Sequence, residues 1–178
     1  MRPVIATTFD VAIWFLERAR AEDTYLQPRK LQSLLFLAQA HYAAGYNGRR
    51  LMPSVFVFDD GGPMDPNVYR AFENGRPIYT GTPIGEAELA FLDAVWRRYR
   101  TADALRLDQV IASHGQGEPA IQRRDGSEIT LAAMRRMFGA DRKTGRSAPA
   151  SAPRVMRSHT GRKVTVKKWT PARKVVHS

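Results

Sequence analysis

The sequence predicts a mainly α protein, a single compact helical domain with one or two short strands and a basic C-terminal extension. Three observations carry that reading. Apolar residues recur at three-and-four spacing in several separate windows, apolar–polar alternation is confined to one short run, and the charge balance changes abruptly near residue 141. At 178 residues the chain is long enough for one domain with a real core and short for two. A hydrophobic fraction of 43% with a charged fraction of 25% is ordinary globular usage, which excludes collagen-like and wholly disordered chains.

Taken in order, Thr8 or Thr7 caps a helix over residues 10–21. Its Phe9, Val11, Ala12, Ile13, Trp14, Phe15 and Leu16 leave little polar surface, so it is buried on several sides. Pro28 then stands where a first-turn proline is tolerated, followed by Leu31, Leu34, Leu35, Ala38 and Tyr42 at helical spacing, with Gly45 as the stop. This is the strongest helical signal in the chain. Residues 55–58 alternate as a strand does, and Asp59, Asp60, Gly61, Gly62 and Pro63 read as a tight turn after it. Asp65 and Pro66 supply the cap and first residue of a brief helix over 66–73, stopped by Gly75, with Tyr69 on its inner side. Residues 76–83 follow as a second extended piece.

Leu89, Leu92, Val95, Trp96 and Tyr99 form the next stripe. Glu86 and Glu88 precede it and Arg97, Arg98 and Arg100 end it, as the helix dipole favours, giving a helix with one wet face. Thr101 opens a further helix through Leu105, Val110 and Ile111 to His114, ended by residues 115–119. Ile129 and Met134 staple a last helix capped by Thr130, with Leu131, Met137 and Phe138 continuing to Gly139. The expected total is five or six helices.

The residues offer little chemistry. Zero cysteines removes thiolate nucleophiles, disulfides and cysteine-based metal sites. No serine elbow, phosphate loop or dinucleotide fingerprint occurs. Of four histidines, His159 and His177 lie in the extension and His41 inside the second helix, while His114 sits beside a Gly-rich segment with Glu118 four positions on. Catalysis by His114, Glu118 and Asp59 or Asp60 would need those side chains to meet in one pocket; a capping role for His114 is the simpler reading. Asp59, Asp60 and Asp65 lack the spacing of a calcium loop and read as turn and cap. Trp14, Trp96, Phe36, Phe56 and Phe58 are expected in the core. The chain is read as a non-enzyme without metal or cofactor.

Charge is the sharper signal. Of the net +11, all resides between Arg142 and Ser178, where eleven Lys and Arg stand with no Asp or Glu; the first 141 residues carry 17 of each sign. The expected boundary therefore falls near Asp141, with a body over residues 8–141 and a basic tail over 142–178. Residues 145–153, mostly Gly, Ser, Ala and Pro, have almost nothing to bury. Beyond them Val155, Val164, Val166, Trp169, Val175 and Val176 alternate with the partner-binding candidates Arg154, Arg157, Arg162, Lys163, Lys167, Lys168, Arg173 and Lys174, and Trp169 belongs with those candidates. Such a tail is a solvated extension, a polyanion binder that neutralises phosphates and stacks Trp169 on a base, or a strand that adds to a partner's sheet. No apolar run approaches the roughly 18 residues a membrane span needs. Asp10 interrupts the first apolar stretch, so a cytoplasmic location without a membrane partner is expected.

Residues 10–16, 30–44, 61–72 and 113–119, read together, resemble the Panacea domain, also called the SocA-like antitoxin domain, over residues 8–138. The most specific positions are Lys30, Leu31, Leu34 and Leu35, then Gly62, Pro63, Pro66, Val68 and Tyr69; His114 and Pro119 mark the later segment. The family usually shows a tryptophan after the proline matching Pro119, whereas this chain has Ala120. The resemblance implies an antitoxin that binds and neutralises a co-encoded protein toxin. In the name-giving system such a protein also acts as an adaptor that hands the toxin to the ClpXP protease. It implies no catalytic residues. The basic tail lies outside the resemblance, and nucleic-acid binding through that tail is the alternative function.

Overall fold

The structure, a computed structural model, describes residues 2–139 and two three-residue strands, β4 (Val155–Arg157) and β5 (Lys163–Thr165), which pair antiparallel with each other. Helix α1 (Thr8–Ala21) starts two residues earlier than expected because Thr7 is the cap. The Thr7 hydroxyl accepts the Asp10 N–H at 3.1 Å while the Asp10 carboxylate accepts the Thr7 N–H at 3.2 Å, a reciprocal capping box. Helix α2 (Pro28–Gly45) opens on Pro28, whose missing N–H would have had no partner there, and keeps Gly45 as its last residue, with Tyr46 at the cap.

Every residue of α2 from 30 to 44 is buried, so this helix has no wet face. Elements surround it: α1, α4 (Glu86–Tyr99), α5 (Ala104–His114), α7 (Leu131–Gly139) and strand β2 (Gly62–Met64) all pack against it. The remaining elements are β1 (Phe56–Asp59), α3 (Pro66–Phe72), α6 (Pro119–Arg123) and β3 (Ser127–Ile129), making seven helices among the described residues. One contiguous core runs from Ile5 to Phe138 and contains Phe15, Phe36, Phe56, Phe58 and Trp96, as expected of them; Trp14 packs on it half-buried.

The three-stranded sheet is antiparallel in the order β2-β1-β3, with Phe58 opposite both Pro63 and Ser127. Three expectations are corrected here. Gly62 and Pro63 are not in the turn: only Asp60 and Gly61 turn, and Pro63 enters β2. A proline fits there because β2 is an edge strand, where a missing donor breaks no ladder bond. Ile129 belongs to β3, a strand whose partner lies some seventy residues upstream. Residues 115–119 end α5 as expected, while residues 119–123, assigned to no helix by the sequence, form α6, with Pro119 at its first position. Helix α5 is capped by Asp103, whose carboxylate takes the Arg106 N–H at 2.7 Å, not by Thr101, and Leu105 on it is exposed. The last helix keeps its expected cap, Thr130, whose hydroxyl accepts the Ala133 N–H at 3.2 Å.

Residues 76–83 pair with no strand among the described residues. They are held to α1 by Asp10, whose Oδ1 accepts the Tyr79 hydroxyl at 3.1 Å and the Thr82 N–H at 2.8 Å. A largely exposed stretch of chain is thereby anchored without a sheet.

The polar side chains buried on α2 each satisfy a distant segment. Gln39 Oε1 accepts the N–H of Met52 at 3.1 Å, with both residues sealed from solvent. Gln39→Leu therefore leaves a buried N–H unpaired and should lower stability by about 1–3 kcal/mol, whereas Arg97→Ala on the wet face of α4 should change it by less than about 0.5 kcal/mol. Urea unfolding midpoints of the two variants check the contrast.

Candidate functional site

Of the residues that sequence reading brought forward as chemical candidates, His114, Glu118 and Asp59 are engaged in structure, and Asp60 is an exposed turn residue. His114 ends α5, with Nδ1 2.8 Å from the Val110 carbonyl and its ring stacked on Phe138 at 4.4 Å between centroids. Glu118 takes the Arg136 guanidinium at 2.9 Å. Asp59 accepts the Gly61 N–H at 2.7 Å, which is the turn role expected of it. Among the described residues no group of three His, Asp or Glu side chains is placed to hold a metal ion. His41, buried between α4 and α7, shares a 2.7 Å hydrogen bond with the Tyr99 hydroxyl.

The residues of the family-like motif fall into two sets. Leu34 and Leu35 are sealed in the core, and Lys30 runs under α4 so that its ammonium caps that helix, donating to the Arg100 carbonyl at 2.5 Å. Burial pushes the Lys30 ammonium below its usual range, and Asp103 only partly offsets it. Gly62 sits at φ +97° against Asp108; a Cβ there would stand 2.7 Å from Asp108 Oδ1, so glycine is required on both counts. Asp108 in turn binds Arg29 and the Ser33 hydroxyl, which locks β2 to α2 and α5.

The second set builds a concavity. A groove of about 830 Å³ runs between the end of α1, the loop into α2, and α3. Leu16, Leu26, Leu31 and Phe72 form its walls, Val68 its base, and Tyr25 and Tyr69 its rim. Tyr69 corrects an expectation: it points outward and is 52% exposed, because α3 is too short to bury more than the side of Val68. Tyr25 is 79% exposed. Two large aromatic rings held out of the core beside apolar walls form an exposed apolar patch, which marks a contact surface.

Gln32, which lines the groove, ties it to Asp65 at the start of α3. The Asp65 carboxylate caps α3 by accepting the N–H groups of Asn67 at 2.9 Å and Val68 at 3.2 Å, as expected of it. Its own N–H is accepted by Gln32 Oε1 at 2.9 Å. That bond fixes which end of the Gln32 amide faces Asp65. The same side chain lines the groove and is 7% exposed. Sequence reading missed Gln32, one of five buried polar residues on a helix whose leucines and alanines carry the periodic signal. Near the other side of α1, Glu22 is held below the usual carboxylate range, chiefly by the Trp96 indole N–H and then by Arg100.

Of the basic candidates, Arg157 and Lys163 stand opposite each other in the β4–β5 register. Arg154, Arg162, Lys167, Lys168, Trp169, Arg173 and Lys174 lie outside the described residues. No helix among the described residues is long and apolar enough to cross a membrane. No family model, curated protein or solved structure matches the chain.

Burial pushes the Asp65 carboxyl above its usual value, outweighing its backbone and Ser54 hydrogen bonds. The folded chain then binds that proton more readily than the unfolded chain. The stability tied to Asp65 is therefore highest below the unfolded value of 3.8 and falls as pH rises through the higher folded one. Asp65→Asn keeps the cap and should remove this decline, while Asp65→Ala should cost about 1 kcal/mol at every pH through the lost cap. Urea midpoints of wild type and both variants from about pH 4 to pH 7 read the difference directly.

Proposed function

We propose that the protein is an antitoxin that binds a co-encoded protein toxin and holds it inactive, acting in the cytoplasm and delivering the toxin to the ClpXP protease. The observation that carries the reading is the groove rimmed by exposed Tyr25 and Tyr69. Tyrosines in such positions are the residue type that anchors protein interfaces. Support comes also from the titratable groups of the body: His114, Glu118, Asp59 and Asp65 are all engaged in caps, turns and ion pairs, which suits a protein that works by surface fit and makes or breaks no bond. Of the family-like positions, Leu31, Val68 and Tyr69 line that groove, which ties the resemblance to the same surface.

The basic segment favours a second reading, nucleic-acid binding, through one specific observation: eleven cations without an acid between Arg142 and Ser178. On that reading, affinity for random-sequence duplex DNA falls by about a thousandfold or more between roughly 50 and 200 mM salt, since each neutralised phosphate releases counterions. Binding that is indifferent to salt excludes it.

For the antitoxin reading the genetic test is decisive. Deleting this gene alone should be lethal or growth-arresting, and deleting it together with its toxic neighbour should restore growth. In a pull-down with the neighbouring gene product, Tyr69→Ala should weaken capture by about 2 kcal/mol, roughly thirtyfold, with an unchanged unfolding midpoint. Growth that is normal after the single deletion removes the proposal.

A further inference from the structure

We propose that the groove between α1, α2 and α3 pairs with the same groove of a second copy of this chain, forming a reversible two-fold dimer in which Tyr25 of each copy fills the other's groove. The inference rests on the shape and charge of the groove in the isolated protein, and it stands or falls separately from the antitoxin reading.

Shape is the first argument. A two-fold interface sets one patch against itself, so the patch must hold both a projection and the hollow that receives it. This one does. Leu16, Leu26, Leu31 and Phe72 wall the hollow, and Tyr25 projects from its rim with 79% of its surface in solvent. Its position is fixed on both sides in the chain. The Asp23 and Thr24 N–H groups close the end of α1 on the carbonyls of Arg20 and Ala19, at 3.1 and 2.9 Å, and Leu26 is buried two residues before Pro28 opens α2. An aromatic ring on so short and tied a corner loses little freedom when it is covered, which makes it a good anchor.

Charge selects the occupant. The groove is lined by four charged residues, all exposed: Arg20 and Asp23 on the α1 side, Glu73 and Arg76 on the α3 side. Along the chain the signs run plus, minus on one side and minus, plus on the other. A second copy related by a two-fold axis can therefore set Arg20 against Glu73 and Asp23 against Arg76, each contact joining opposite charges and each occurring twice. A wholly basic or wholly acidic partner would instead meet like charge at two of the four positions. Arg20, Asp23 and Glu73 make no ion pair among the described residues, and Arg76 is held by Glu17 in an exposed pair of the kind that contributes little. One groove and its rim make a contact at the small end of specific interfaces, so the dimer is weak, with a dissociation constant on the order of tens of micromolar. Below that concentration the groove stands open; above it Tyr25 and Tyr69 are covered, and any partner that uses them must compete with a second copy.

Sedimentation equilibrium of the full-length protein at about 150 mM salt tests this between roughly 1 and 500 micromolar, the salt screening the two basic segments from each other. The mean mass should rise from that of one chain toward that of two. Tyr25→Ala should raise the dissociation constant by about thirtyfold or more, as loss of a buried aromatic anchor does. Arg20→Glu and Glu73→Arg, each alone, place like charges at both symmetric contacts and should stay monomeric, whereas an equal mixture of the two restores opposite charges at both and should dimerise. All three substitutions fall on exposed positions, and unchanged urea midpoints at low protein concentration show that the variants are folded. A wild-type chain that stays monomeric throughout overturns the proposal. So does a dimer that survives Tyr25→Ala, a mixture no more associated than its components, or a mass that climbs past two chains, since an open chain of copies is not a two-fold contact.

Discussion

A helix with no face toward water governs this structure. From Lys30 to Ala44 every side chain of α2 is buried, yet five of them are polar, and each must find a partner inside the protein. Lys30 reaches the end of α4, Gln32 the start of α3, Ser33 the middle of α5, Gln39 the Met52 backbone and His41 the Tyr99 hydroxyl. The apolar residues of α2 hold the neighbouring elements against it without direction; these five bonds set where along the helix each one stops. Leaving any of them unmade would strand a buried donor or acceptor, which is why the arrangement is specific as well as tight.

The groove is a consequence of the same constraint. Gln32 uses its oxygen to place Asp65, Asp65 starts α3, and α3 lies across the base of α1 with only Val68 turned inward. Tyr69 and Phe72 are then left on the side that faces Tyr25 and Leu26, so an apolar cleft forms where three elements meet without closing. Surface ion pairs such as Arg18–Asp93 and Arg100–Glu22 tie α4 to α1 nearby, but pairs of that exposure contribute little to stability and serve mainly to balance the charge of the body. The first 141 residues are neutral overall, and the excess of cations sits on the adjoining segment of chain.

The buried carboxylates of the body hold neighbouring segments in place. Asp10 anchors residues 76–83, Asp65 caps α3 and Asp108 fills the space that only a glycine at position 62 leaves open. None of the three is presented in a pocket beside a second candidate group. The groove by contrast is lined by aromatic and aliphatic side chains with two acids, Asp23 and Glu73, and two cations, Arg20 and Arg76.

Helical content, the positions of α1, α2, α4 and α7, the caps at Asp65 and Thr130 and the core aromatic residues were legible in the sequence, because capping and apolar periodicity are local and act within one or two turns. The charge step near residue 141 was equally plain, since it needs only counting. What the tertiary structure alone decided was long-range. Pro63 in a strand looks like a turn until β1 makes β2 an edge, and Ile129 looks like a helix staple until residues 127–129 are laid beside 56–58. Tyr69 looks inward by its spacing, but the inward place beside it belongs to Val68, and a helix of seven residues has room for one buried side. The groove could not be read at all: its walls come from segments separated by some forty residues, and a concavity exists only where such segments are prevented from meeting.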